Sequence, residues 1–258
     1  DHIFYYSTFD GIFQEGNANP PKILEPEDIT EVPEGSVLPK DMNALLYDDM
    51  EAHSGSLSTE QWTSITGNKT YINAVNAAGN QVAAWMNRDT AAHGPRMEKM
   101  IGVPDLKTLW FSVDYLTGSK FLNIELFGDG TQQVRLFDIS KGAKAVHASG
   151  WNRLTIKMDV VGGKATAYVN DKTVQETNLS SITSDTRNWR LRIACTLQPN
   201  QVTYLDNFAI YTPDSLDGQI FSYDGTLHMD KVMPSAPTGM LDIMRTHPRL
   251  IVTDWDEI

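Results

Sequence analysis

Cysteine is almost missing: Cys195 is the single one in 258 residues. No internal disulfide can brace such a chain, so its core, and at most a metal, must hold it together. Cys195 lies in the apolar run LRIACTL, where a thiol reads as buried and inert rather than as a nucleophile. Positive charge is also scarce, with 21 Lys and Arg against 33 Asp and Glu, a net charge of -12. That balance argues against nucleic acid, since nothing in the sequence resembles the basic stripe that phosphate binding needs. No apolar run is long enough to span a membrane, and no stretch has the form of a signal peptide, which leaves the compartment open. Helical periodicity is nearly absent before residue 240. Its one exception, LSTEQWTSI from Leu57 to Ile65, suits a single short turn.

What the sequence has is alternation. Short segments of period two recur from Leu45 to Tyr211, separated by turn pairs such as GDG, VGGK and VNDK. The pattern predicts core sets Val82, Ala84 and Met86; Leu109, Phe111, Val113 and Tyr115; Leu122, Ile124 and Leu126; and Val134 and Leu136. It continues with Leu154, Ile156 and Met158; Ala165, Ala167 and Val169; and Leu191, Ile193 and Cys195. Many short strands with this spacing predict an all-β, antiparallel β-sandwich. Residues 14 to 43 carry five prolines and many acids with no period, and read as an extended strap. The aromatic stretch HIFYYSTFDGIF before it suits a strand, with GQIFSYDGTLHM as the expected neighbour.

The segment WNRLTIKMDVVGGKATAYVNDKTV, Trp151 to Val174, resembles the hairpin of the concanavalin A-like and laminin-G-like jelly rolls. LLYDDMEAHSG, from Leu45, is similar to the opening of many carbohydrate-active β-sandwiches, and TYLDNFAIY, from Thr203, to their closing strand. The resemblance implies a jelly roll over residues 45–212, with first and last strands side by side and a structural Ca²⁺ between them. It nominates Asp49, Glu51 and Asp206 as oxygen ligands, with Asp48 in reserve, because carboxylates drawn together by strand pairing repel unless a cation joins them. THPRLIVTDWDEI, at the end, resembles the lead-in to the helical toroid of heparinase II/III-like polysaccharide lyases. The expectation is therefore an N-terminal strand and strap at 1–44, a sandwich at 45–212, and a 213–258 extension leading into a helical catalytic domain that the sequence lacks.

No catalytic set is evident. Of the arginine, glutamine–histidine and tyrosine motifs of jelly-roll alginate lyases, only PRMEKM, with Arg96 and Glu98, has a counterpart. No glycosidase carboxylate pair, no G-x-S-x-G and no metal-spaced histidine set appears. Counting outward from the core sets predicts a second face bearing Trp85, Asn87, Trp110, Asp114, Asn123, Glu125, Phe127, Gln133, Arg135, Arg190 and Arg192. Trp85, Asn87, Arg96, Glu125, Arg135 and Arg192 are the expected glycan contacts, aromatic rings stacking on sugar and arginines taking its carboxylates or sulfates. The strap covering that face is the competing arrangement. The loop Asn87 to Arg96 is an alternative rim site, and Asn68 and Asn178 fit the N-x-S/T pattern.

The reading that follows is a non-catalytic carbohydrate-binding or domain-positioning module of a secreted or cell-surface bacterial polysaccharide-degrading enzyme, a lyase by resemblance. Its partners are a polysaccharide, acidic in character, and the helical domain, with no nucleic acid and no membrane. The alternatives are a catalytic jelly-roll lyase using Arg96, His93 and a tyrosine, and a spacer with no ligand.

Overall fold

The computed structural model describes residues 4–6, 13–15, 24–33, 39, 41–117, 122–140 and 150–216. Their strands, in chain order, are β1 (Phe4–Tyr6), β2 (Phe13–Glu15), β3 (Asn43–Asp48), β4 (Ser64–Thr66), β5 (Ile72–Ala77), β6 (Asn80–Asn87), β7 (Arg96–Met100) and β8 (Thr108–Thr117). They continue with β9 (Leu122–Phe127), β10 (Gln133–Asp138), β11 (Asn152–Asp159), β12 (Lys164–Val169), β13 (Lys172–Asn178), β14 (Arg190–Cys195) and β15 (Gln201–Thr212). The helical pieces among the described residues are two short 3₁₀ turns, Pro26–Asp28 and Thr186–Asn188. Leu57 to Ile65 makes no helix and runs into β4 instead.

Two antiparallel sheets stack as a jelly-roll sandwich. One has five strands in the order β10-β9-β14-β7-β4. The other follows β13-β12-β11-β8-β15-β6-β5, with β3 as its eighth strand, paired to the second half of β15 beyond the reach of β6. The expected adjacency of first and last sandwich strands is therefore present, with Phe208 opposite Asp48. Phe4–Tyr6 pairs with Phe13–Glu15, so the aromatic N-terminal stretch finds its strand partner within itself. GQIFSYDGTLHM and the lyase-like THPRLIVTDWDEI lie outside the described residues.

The space between the sheets is filled by the alternating residues. Leu109, Phe111, Val113 and Tyr115 from β8 meet Leu122, Ile124 and Leu126 from β9 and Leu191, Ile193 and Cys195 from β14, all buried. Cys195 is a packed thiol, as its run implied. A bulge in β10 between Arg135 and Phe137 turns both Leu136 and Phe137 inward.

A second, smaller apolar layer lies on the far side of the eight-stranded sheet. Val82, Ala84, Leu116, Val202 and Tyr204 pack there against Ile29, Leu24 and Val32 of the strap. The strap is also tied by hydrogen bonds, Tyr204 Oη donating to the Leu24 carbonyl (2.6 Å) and Trp151 Nε1 to the Glu31 carbonyl (2.8 Å), while Arg88 pairs with Glu25. This cover reverses one expectation. Val82, Ala84 and Met86 face the strap, and Trp85 points into the sandwich core with 0% exposure. VAAW is apolar at every position, so alternation cannot say which half faces inward.

Candidate functional site

The residues expected on one platform divide among three places. Trp85 is in the core, and its indole N–H finds no acceptor. Asn87 is fully buried and structural: its Nδ2 donates to the carbonyls of Ala91 (2.7 Å) and Leu197 (2.9 Å), and its Oδ1 accepts from the Asp89 amide. Trp110 and Asp114 lie on β8 of the eight-stranded sheet, outward-facing. There Trp110 is half-buried beside Tyr211, and Asp114 is buried under Arg153. Trp85, Asn87, Trp110 and Asp114 are therefore corrections to the expected glycan platform.

The remainder assembles on the outer face of the five-stranded sheet. Register aligns Ser64 (β4), Glu98 (β7), Arg192 (β14), Glu125 (β9) and Arg135 (β10) directly across all five strands. Adjacent strands lie roughly 4.8 Å apart, so the row runs about 19 Å. Its charges alternate. Arg192 Nε donates to Glu98 (2.6 Å) and its Nη1 lies 3.5 Å from Glu125, while Arg135 reaches Glu125 (3.4 Å) and Asp138 (3.1 Å). Ser64 Oγ donates to the other Glu98 oxygen at 2.9 Å. Arg190 and Arg192 both stand over the Phe127 ring, at 4.8 and 4.2 Å from its centre.

Burial pushes the Glu98 carboxyl up, but the Arg192 and Ser64 hydrogen bonds and the Arg192 and Arg190 charges bring it below its usual range. Asp138 behaves alike, its burial outweighed by Ser140 and Arg135. Both therefore stay ionised at neutral pH. The acids are spent and nearly out of water, whereas Arg96 and Arg135 remain 45% and 46% exposed at the two sides of the face. In a chain of net charge -12, this patch of four arginines against Glu98, Glu125 and Asp138 leans positive. Its one ring, Phe127, is covered by guanidiniums, so the face is built for anions more than for stacking on sugar.

The carboxylates nominated for a metal share the wall of one cavity without converging on a common point. Asp49, Glu51 and Asp206 line one cavity of about 360 Å³ with Asn80, Asn207 and the strap residues Val32 and Pro33. Burial pushes the Asp206 carboxyl up to about 8; its bond from the Asn207 amide opposes this, and the charges of Asp114, Glu51 and Asp49 add to it. Each acid already accepts a backbone amide: Asp206 from Asn207, Asp49 from Glu51 and Glu51 from Gln81. Among the described residues no group of three or more His, Cys, Asp or Glu side chains converges to ion-binding distance. Asp48 is committed elsewhere, accepting from Trp62 Nε1, His53 Nε2 and the Met50 amide.

The rim loop holds a group that spacing did not reveal. Tyr71 Oη lies 2.7 Å from Asp89 Oδ2 and 3.0 Å from His93 Nε2, and the two rings stack at 4.2 Å. Tyr71 and His93 are 22 positions apart and share no motif. Only the pairing of β5 with β6, and of His93 with Leu197, brings them together. Glu98 was visible as the partner of Arg96 in PRMEKM, but its place at the centre of the row depends on strand order.

No protein family profile and no curated protein matches the chain. Solved structures superpose on it loosely. An endo-1,3-β-glucanase from Streptomyces sioyaensis does so with TM-score 0.46 and 9% identity, over 69% of this chain and 99% of that one. A mutant of alginate lyase Aly36B, in complex with alginate trisaccharide, gives 0.44 and 10%, over 65% and 97%. A sialidase gives 0.44 and 12% over 67% of this chain, which spans 19% of the sialidase. Likeness at this level carries no argument about activity; the fold rests on the strand order and core described above.

Proposed function

We propose that this domain is a non-catalytic carbohydrate-binding or domain-positioning β-sandwich module, and that its ligand is an acidic glycan lying across the outer face of the five-stranded sheet. The observation that carries this is the cross-strand row Glu98, Arg192, Glu125, Arg135, flanked by the half-exposed Arg96 and Arg190. Internal carboxylates hold the buried guanidiniums in place, and the exposed ends of Arg96 and Arg135 are left for a ligand's carboxylates or sulfates. Strand spacing puts those two arginines three strands, about 14 Å, apart, which suits an extended oligomer better than a single sugar. The reading extends to a secreted or cell-surface polysaccharide-degrading parent, by the resemblance of the sandwich motifs that begin at Leu45 and Thr203.

Affinity electrophoresis against uronate-containing and neutral polysaccharides tests the reading. Retardation by an acidic glycan, weakened by salt and by Arg96→Gln or Arg135→Gln, supports it. Equal mobility across the panel supports the spacer.

The catalytic alternative is favoured by one observation, the contact between His93 and Tyr71. A base and an acid are then present, but the group they share contacts with is Asp89, a carboxylate, which cannot neutralise a uronate. The expected result is no unsaturated product from alginate, heparin, hyaluronan or chondroitin by ultraviolet absorbance. Turnover abolished by His93→Ala would promote the lyase reading.

The same proposal includes a structural Ca²⁺ held by Asp49, Glu51 and Asp206. Hard oxygen donors around a roomy cavity, one of them a buried carboxylate crowded by other acids, suit that ion, which would supply the missing positive charge.

A further inference from the structure

We propose that Tyr71, Asp89 and His93 form a site for a divalent late first-row transition-metal ion, of which Cu²⁺ is the strongest-binding member. The site is distinct from the glycan face and from the oxygen-only cavity around Asp206, and it does not rest on either.

Three polar atoms stand in a triangle: Tyr71 Oη to Asp89 Oδ2 at 2.7 Å, His93 Nε2 to Asp89 Oδ2 at 2.9 Å, and Tyr71 Oη to His93 Nε2 at 3.0 Å. A phenol brings one proton to this triangle, the facing imidazole nitrogen at most one, and the carboxylate none. Three close edges therefore share two protons, and one edge lacks a proton of its own. A cation in front of the three atoms satisfies all of them at once. Metal bonds of about 2.0–2.1 Å meeting at right angles place neighbouring ligand atoms about 2.9 Å apart. The observed edges match one face of such a polyhedron, the tetragonal N,O geometry that suits Cu²⁺ or Ni²⁺. The imidazole nitrogen separates this site from a calcium site, because Ca²⁺ takes oxygen ligands.

The backbone beneath the triangle is pinned. Buried Asn87 holds the loop at Ala91, Leu197 and the Asp89 amide, and His93 exchanges both backbone hydrogen bonds with Leu197, at 2.9 and 2.8 Å. The Tyr71 amide donates to the Gly67 carbonyl, and its own carbonyl accepts from Met86. Ligands on fixed backbone keep their mutual geometry before the ion arrives. Asp89 and His93 stay partly open to solvent, which leaves water positions on the ion's outer side.

Binding must displace the phenol proton, which donates to Asp89 in the ion-free triangle. One proton then leaves per ion bound, and affinity rises with pH. An ion here also occupies the lone pair of His93, so metal loading and use of His93 as a proton acceptor exclude each other.

The test titrates the full chain, stripped with chelator, with CuCl₂ by calorimetry, visible absorbance and electron paramagnetic resonance. The expected result is one ion per chain, with a phenolate-to-copper band in the visible and proton release that varies with buffer. Asp89→Asn and His93→Gln should weaken binding by about tenfold or more. Tyr71→Phe should abolish the visible band, and since it keeps the ring stack it decides the matter even if the loop variants fold poorly. A parent without the visible band, or binding equal in the parent, Tyr71→Phe and His93→Gln, would overturn the proposal.

Discussion

The outer faces of the two sheets are made of similar alternating strands and end up with opposite characters. On the eight-stranded sheet, Val82, Ala84, Val202 and Tyr204 are covered by the strap, and β6 and β15 are buried on both faces over much of their length. On the five-stranded sheet the outer face is uncovered by any described element and carries the charged row instead. A covered face selects apolar residues at both parities and erases the alternation that would report its orientation. An open face keeps the alternation, and β14 shows it cleanly as Arg190, Leu191, Arg192, Ile193.

The largest test of this contrast is Trp85→Ala. With the ring in the core, the change should cost about 3–5 kcal/mol in chemical denaturation, whereas an exposed Trp85 would cost far less. Trp85→Phe should cost much less than Trp85→Ala, since the orphaned indole N–H leaves with the change.

Next is Arg192→Ala, which strips the shared partner from the nearly buried Glu98 and Glu125. The expected loss is about 3 kcal/mol at pH 7. It should shrink at acid pH: Glu98 is held below its usual range in the folded protein, so the stability it contributes is present above the unfolded carboxyl value and is lost as pH falls through the folded one. A loss that stays constant down to acid pH would contradict the charged row.

The cavity under the strap should respond to pH in the opposite sense. The Asp206 carboxyl binds its proton more tightly when folded, so without calcium stability should fall as pH rises from about 4 toward 8 and then level off. Asp206→Asn should flatten that window. Calcium should raise the melting temperature most above pH 8, where Asp206 is charged, and chelation should reverse the effect. An Asp206→Ala variant that melts like the parent, with and without chelator, would remove the calcium proposal.

The smallest expected effect on stability is Tyr204→Phe, which removes only the bond from the ring hydroxyl to the strap at Leu24. About 1 kcal/mol is expected. Faster hydrogen exchange at residues 24–33, with the five-stranded sheet unchanged, is the confirming pattern. Exchange that rises equally in both sheets would mean the strap is no separate layer.

Most of the architecture was legible because period two and turn chemistry are local. Leu109 to Tyr115, Leu122 to Leu126 and Leu154 to Met158 fall in the core as counted, and Glu125, Arg135, Arg190 and Arg192 share an outer face as expected. Trp85 and Asn87 were misplaced for different reasons. The first sits in a run with no polar marker, and the second makes hydrogen bonds to Leu197 from 110 positions away. Trp110 was given its correct face but the wrong sheet, since alternation carries no information about which sheet a strand joins.

The sequence by itself determined the all-β class, the strand positions, the inert cysteine and the surplus of acids, because each depends on neighbours along the chain. Strand order, the cover over one sheet, the row through Glu98 and Arg192 and the meeting of Tyr71, Asp89 and His93 were decided only by the tertiary structure. Those features depend on which distant segments pair, and pairing is settled by the joint burial of both sheets and the strap rather than by any one segment's composition.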